Sequence, residues 1–480
     1  MFRVSLCLGV LAGCGLAISA CSSADQGASE NVGQSTSQEL TLAPPSKSLR
    51  IAIVGAGPSG LTAADTLKGL GYANVTVFEK NDHVGGKVYS VPNGDGTFSE
   101  LGAFFATTDY TTVLGYANKY GIPYSAFPDA QNIVDSNGQS SAPQAWLESH
   151  YNTLQILAAV AAYTPLTAEM DTVLAEDGFA VVPALLPSSD YYLPFSEFAA
   201  KRGLTPITEL VRALMVGFGY GYYESTPAIY YLKLLGWMVK LNASLTMPIT
   251  QPPAYVFPTG YQSIWTAVAQ DLNVQLNSTV TSIARPSPDG APVQVTINGR
   301  DTYDFDDVII SVPLNRVGNF MTLTRQESAL FSQVQTETYD VSLFTGTGMT
   351  PGQVSYFYGN ASAAQINHAV AILATGKATN ESWQIVDPTA TTSLVDSTLA
   401  SDVSAFGGQF GSIVQQQTWD YFPHVSTAAL QNGFYYSVEA LQGSNHTFYV
   451  GSTMSFETVE HSARYAATLV KSHFLLAILP

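Results

Sequence analysis

Arg50-Ile51-Ala52-Ile53-Val54-Gly55-Ala56-Gly57-Pro58-Ser59-Gly60 runs a short apolar segment directly into a glycine-rich turn. A helical pattern follows, with Leu61, Ala64, Leu67 and Leu70 on one face. Val75-Thr76-Val77-Phe78 then reads as a second strand ending at Glu79. A Gly-x-Gly-x-x-Gly string alone is weak evidence, because a plain βαβ turn can carry it. Strand, turn, helix, strand and acid in this order mark a dinucleotide-binding unit. Gly55 allows the tight turn, Gly57 lets the backbone approach a pyrophosphate, and Gly60 lets helix and strand pack closely. Pro58 and Ser59 complete the turn at a helix N-terminus, which offers free N–H groups and a partial positive charge to phosphate. Glu79 stands where a carboxylate accepts from ribose hydroxyls.

Directly after Glu79 comes Lys80-Asn81-Asp82-His83-Val84-Gly85-Gly86-Lys87. A second glycine pair beside a cation brings further backbone donors to the same pyrophosphate. Phe98-Ser99-Glu100-Leu101-Gly102-Ala103 gives a small-residue turn able to approach a flat ring. The arrangement resembles that of the flavin amine oxidase, phytoene desaturase and protoporphyrinogen oxidase superfamily. The resemblance implies FAD as cofactor, with Lys80, Gly86, Lys87, Gly102 and Ala103 joining the first turn in holding it. The superfamily's usual Arg after the glycine pair is here Lys87, a point charge in place of a planar fork.

The implied fold class is α/β, a Rossmann-like FAD-binding domain interleaved with a substrate domain of mixed sheet plus helices. The expected parts are an export segment 1–21, a flexible tether 22–48, FAD-binding parts 49–130, 251–320 and 431–480, and substrate-domain parts 131–250 and 321–430. Residues 146–173 have helical apolar spacing. Thr226-Pro227 opens a helix carrying Ile229, Tyr230, Leu232, Leu234, Leu235, Trp237, Met238 and Leu241. Apolar almost all round, it is either deep core or the wall of an apolar cavity. Residues 274–283 read as paired strand material, and Asp307-Val308-Ile309-Ile310 as a further buried strand. In the superfamily Val280's position packs against the adenine.

Charged residues make up only 12% of the 480, and the formal charge of −18 argues against nucleic acid or anionic membrane surfaces as partners. All three cysteines, Cys7, Cys14 and Cys21, lie in the first segment. The folded body therefore has neither a disulfide framework nor a cysteinyl flavin link, and noncovalent FAD is expected. Arg3 followed by the apolar run to Ala20 reads as an export signal. Ile18-Ser19-Ala20-Cys21 has lipoprotein cleavage spacing, Leu11-Ala12-Gly13-Cys14 fits the same pattern, and an ordinary signal peptide stays open. The chain is thus expected to be exported, as a secreted protein or as a lipoprotein touching membrane only through its lipid. The histidines show no ligand spacing, so no metal is expected, and His424 reads as a structural hydrogen-bonder.

A closer resemblance lies in Leu193-Pro194-Phe195-Ser196-Glu197-Phe198, in Phe218-Gly219-Tyr220-Gly221-Tyr222 and in Pro227-Ala228. It continues through Trp419-Asp420-Tyr421-Phe422-Pro423-His424, Phe448-Tyr449-Val450-Gly451 and Met454-Ser455-Phe456. All are similar to bacterial polyenoic fatty acid isomerases. This implies a double-bond isomerase acting on polyunsaturated lipids by hydride abstraction and return, with Gly451, Ser452, Phe456 and Val459 closing the cofactor site. Phe218, Tyr220, Tyr222 and Phe422 are the candidate ring surfaces for the substrate pocket, with plain core packing the competing reading.

Two departures bear on that resemblance. Ser452 replaces the family's usual Glu, and no Lys or Arg occurs between Lys119 and Lys201 to meet a fatty acid carboxylate. The other readings are a flavin amine oxidase, an FAD-dependent dehydrogenase of a small apolar metabolite, and a non-catalytic exported FAD- or lipid-binding lipoprotein. No lysine lies between Lys240 and Lys377, which removes an element that amine oxidases often carry.

Overall fold

The computed structural model describes residues 45–127, 130–175, 177–179, 189–238, 240–241, 249–250, 254–286 and 291–475. The expected export segment, Cys21 and the tether up to residue 44 lie outside them.

Strand β1 (Arg50–Val54) is apolar because it is buried on both faces: Ile51, Ala52 and Ile53 are fully inaccessible. It pairs in parallel with β2 (Asn74–Phe78) on one side and with the strand Asp307–Ile310 on the other. Val274–Gln275 and Thr447–Tyr449 complete a five-stranded, all-parallel sheet. Its strands therefore come from four separated stretches of chain.

Helix α1 (Pro58–Gly69) follows β1, with proline in its first turn and Gly57 as an N-cap that offers no side-chain bond. Gly60 has to be glycine, since a Cβ there would lie 2.0 Å from the Gly55 carbonyl oxygen. On its outer side α1 packs against the C-terminal helix Val459–Phe474.

The second layer is a seven-stranded mixed sheet in the order Gln409–His424, Gln335–Thr347, Asn380–Val386, Ala369–Ala374, Gln353–Phe357, Ala130–Val134, Ser140–Ser141. Only the pairing of Ala130–Val134 with Gln353–Phe357 is parallel. The helix Thr205–Gly217 lies against this sheet, and the helices Thr153–Ala175 and Ala228–Met238 pack on one another. In the last of these, Ile229, Tyr230, Leu232, Leu234 and Leu235 are all buried.

Residues 274–283, read as paired strand material, form two strands that pair in different sheets. Val274–Gln275 joins the parallel sheet, while Val280–Ala284 starts a separate antiparallel sheet with Val293–Ile297 and Asp301–Phe305. The break is set locally. Asn277 takes a positive φ of 52°, and the N–H groups of Asn277 and Ser278 turn to the carbonyls of Asn81 and Glu79.

Candidate functional site

A cleft of about 650 Å³ opens at the C-terminal ends of β1 and β2. The head of α1 forms one wall, where Gly55, Gly57, Pro58 and Ser59 line it. The Gly57 and Gly86 backbones nearly touch, for a Cβ on Gly86 would come 3.1 Å from the Gly57 Cα. Two stretches of main chain are thereby held together with no side chain between them. The Ser59 hydroxyl is buried there with no hydrogen-bond partner, an unmet polar group at a helix N-terminus.

Glu79, nearly inaccessible, ends β2. Its carboxylate accepts from the backbone N–H of Ala56 at 2.9 Å and of Asn81 at 2.9 Å, which fixes it beside the turn. Lys80, Gly86, Lys87, Ala103, Val280, Gly451, Ser452 and Val459 also line the cleft. Arg316 and Asp420, ion-paired at 2.6 Å, stand in its wall as well.

At one end the cleft meets a second, smaller cavity of about 60 Å³. Ala103, Trp419, Tyr421, Glu457, Thr458 and Val459 line both cavities and so define the junction. Beyond it the walls are aromatic, with Phe104, Phe105, Tyr110, Phe218, Tyr220, Tyr339 and Trp383 joined by Leu234 and Gly102. Trp419 Nε1 donates to the Leu101 carbonyl at 2.6 Å, pinning the strand Gln409–His424 to the 98–103 turn.

The aromatic wall depends on residues 217–222. Gly219 has φ 80°, and a Cβ on it would lie 2.8 Å from ring atoms of both Tyr339 and Tyr421. Those two rings stack 4.8 Å apart, and the Tyr339 hydroxyl donates to the Gly217 carbonyl at 2.5 Å. The alternation of glycine with aromatics thus brings backbone against a tyrosine pair.

Of the four candidate ring residues, Phe218 and Tyr220 line the aromatic cavity, whereas Tyr222 and Phe422 are buried without lining either. Phe422 stands behind Tyr220, with ring centroids 5.5 Å apart. It sits at a bulge: Gln335 opposes His424 and Glu337 opposes Tyr421, so the 409–424 strand carries one extra residue there, and Phe422 has φ 47°. Phe456 also packs behind the cavity, 4.9 Å from the Tyr220 ring. Gly60 serves helix–strand packing, and Gly102 backs onto the Lys87 carbonyl.

Trp419 and Tyr421 stand in the quoted 419–424 string without a site role, and Glu457 and Thr458 have no signal in the sequence. Strand alternation would have found Tyr421 beside Trp419 and turned Phe422 to the other face.

The electrostatics divide into paired and buried groups. Lys87 Nζ lies 2.8 Å from Glu457 Oε2 and 5.2 Å from the Tyr421 ring centre. Burial pushes the phenols of Tyr220 and Tyr421 well up, so both stay protonated. Glu100, within the 98–103 turn, is pushed up to about 8 by burial, although Ser90 Oγ and the Tyr261 N–H both donate to it. His424 is held below its ordinary value by burial, and its Nδ1 lies 2.8 Å from the Phe422 carbonyl oxygen, a structural contact.

The family model for flavin containing amine oxidoreductases matches residues 58–392. The chain is 25% identical to the polyenoic fatty acid isomerase of Ptilota filicina over 279 residues, 54% of this chain and 55% of that protein. It is 26% identical to the FAD-dependent oxidoreductase pigF of Monascus ruber, covering 84% of this chain and 87% of the other. Among solved structures, a CLA-producing fatty acid isomerase from P. acnes is similar with a TM-score of 0.78 and 25% identity, covering 90% of this chain and 100% of that one. The chain thus spans about half the length of the isomerase from Ptilota.

Proposed function

Because the chain belongs to the flavin containing amine oxidoreductase family, we propose that it is an FAD-dependent double-bond isomerase of polyunsaturated fatty acids or related lipids. The observation that carries this reading is the junction itself: a dinucleotide-sized cleft that runs into a chamber walled mainly by aromatic rings.

The residues present fit an FAD. The uncapped head of α1, the bare Gly57–Gly86 contact and the unpartnered Ser59 hydroxyl form a cradle for a pyrophosphate. Gly55, Gly57, Pro58, Ser59 and Gly86 would hold the pyrophosphate, Glu79 the adenosine ribose and Val280 the adenine, while Lys87 is tied to Glu457 at the junction. Ala103, Gly451, Ser452 and Val459 would meet the ring and its ribityl chain. A bound flavin supplies reversible hydride chemistry, which lets an allylic hydrogen leave one carbon and return at the far end of the unsaturated system without an external acceptor.

The protein's part is orientation and exclusion of water. Trp419 and Tyr421, at the junction, would flank the reacting part of the substrate, where their π-faces favour the positive charge that develops along an allylic chain. Phe104, Phe105, Phe218 and Tyr220 would keep water from that charge. At about 60 Å³ the chamber has room for about two waters, so admitting an acyl chain requires rings such as Phe218 to turn aside.

One feature favours a second reading, amine oxidation: the Glu457 carboxylate beside aromatic rings would suit a cationic substrate. Flavin-loaded protein incubated with polyunsaturated fatty acids, their esters and a panel of amines separates the two. Conjugated-diene absorbance without hydrogen peroxide supports isomerisation. Peroxide in proportion to an amine, with no diene from any lipid, contradicts it.

A further inference from the structure

The junction between cleft and chamber carries charge in an arrangement that bears on the substrate's headgroup. Lys87 is tied to Glu457 at 2.8 Å, and that carboxylate is only 8% exposed. Of the other cations lining the cleft, the Arg316 guanidinium is held by Asp420, and Lys80 lines the cleft but not the chamber. Among the described residues Glu457 is the one charged side chain that lines the chamber, so the chamber meets a carboxylate and no cation.

The acidic influence reaches the walls. The Tyr421 phenol is pushed up first by burial and next by Glu457. Tyr110 is pushed up first by burial and next by Glu460, with Asp109 adding to it. Lys233, one residue before chamber-lining Leu234, turns to the Gly178 carbonyl at 3.4 Å and lies over the Phe179 ring. Neither Gly178 nor Phe179 lines the chamber.

A fatty acid carboxylate brought to this mouth would lose its hydration, find Lys87 already engaged and face Glu457. We propose that the Lys87–Glu457 pair is a specificity-determining element that excludes free carboxylates from the chamber mouth, so that the enzyme takes lipids with uncharged headgroups, such as esters and amides. The inference rests on the lipid reading above and narrows it to a substrate class.

The test compares kcat/KM for a polyunsaturated free acid and its methyl ester, per bound flavin, in the wild type and in Glu457→Gln. The wild type is expected to favour the ester by about tenfold or more. In Glu457→Gln the Lys87 ammonium is left uncompensated, and the preference should fall at least tenfold, mainly through a lower KM for the acid. A wild-type preference for the free acid overturns the proposal, as does an unchanged ratio in a flavin-loaded Glu457→Gln. If that variant takes up no flavin, the wild-type ratio decides alone. If the wild type converts neither lipid, the isomerase reading fails, while binding of a fluorescent conjugated polyenoic acid against its methyl ester still decides the headgroup question. Tighter binding of the acid would then overturn it.

Discussion

Trp419 Nε1 and the Leu101 carbonyl oxygen lie 2.6 Å apart in a hydrogen bond that spans more than three hundred residues of sequence. It fastens the strand Gln409–His424 to the turn bearing Gly102 and Ala103, at the junction of the two cavities. Trp419→Phe keeps an aromatic, though smaller, ring and leaves the carbonyl without its donor. The expected cost is about 1–3 kcal/mol of stability, with a fall in turnover larger than any fall in bound flavin. Urea unfolding together with flavin-to-protein ratios measures both; turnover that follows flavin content one for one would show that the bond only holds the fold.

Phe218 and Tyr222 sit four residues apart in one glycine-rich turn yet have different surroundings. Phe218 lines the chamber, while Tyr222 is buried away from both cavities. Phe218→Ala should lower kcat several-fold while flavin stays bound. Tyr222→Ala should instead act through stability, lowering the unfolding free energy by about 3–5 kcal/mol. Steady-state kinetics beside thermal unfolding of each variant distinguishes the two patterns.

That contrast shows what the sequence made legible. Glycine spacing and strand pattern were enough to locate Gly55, Gly57, Glu79 and Gly86 around one cleft, because the βαβ unit is contiguous and each residue's task is local. The chamber is different: Phe105, Tyr110, Tyr339, Trp383 and Tyr421 come from distant segments that meet only through the mixed sheet. The sequence alone points to Phe422 and not to Tyr421, because the bulge beside them has no compositional mark. Glu457 and Thr458 carry no compositional mark either: they belong to the helix cap behind Gly451, where Thr458 accepts from the His461 N–H.

Two buried carboxylates give opposite pH responses. Burial raises Glu327, but the Arg285 guanidinium at 2.5 and 2.6 Å, the Thr324 N–H and the Tyr449 hydroxyl more than offset this and leave it at about 2. A folded value below the ordinary 4.5 means stability that is present above that point and lost as pH falls towards 2. Arg285→Met should cost about 3 kcal/mol or more at neutral pH, and the gap from wild type should narrow on acidification.

Glu100 runs the other way. Its folded value of about 8 lies above the ordinary 4.5, so its contribution is full at low pH and is lost as pH rises through 8. Glu100→Gln should unfold at a higher temperature than the wild type above pH 8, and the difference should shrink below pH 6. A variant that is equally destabilised at every pH would show that the carboxylate is needed for its hydrogen bonds alone.

The cofactor is expected to be held without a covalent bond, since the chain carries no cysteine after Cys21. Acid precipitation should then leave the flavin in the supernatant. Flavin that stays with the pellet would point to a link through another side chain.

Isomerisation returns to the substrate what it takes, whereas oxidation leaves electrons behind. Flavin-loaded protein mixed anaerobically with excess polyunsaturated ester, with no electron carrier added, measures that difference directly. Conjugated product accumulating to many molecules per flavin, with the flavin still oxidised at the end, is the result predicted here. Product that stops at one molecule per flavin, with the flavin bleached until oxygen is admitted, would contradict the isomerase account.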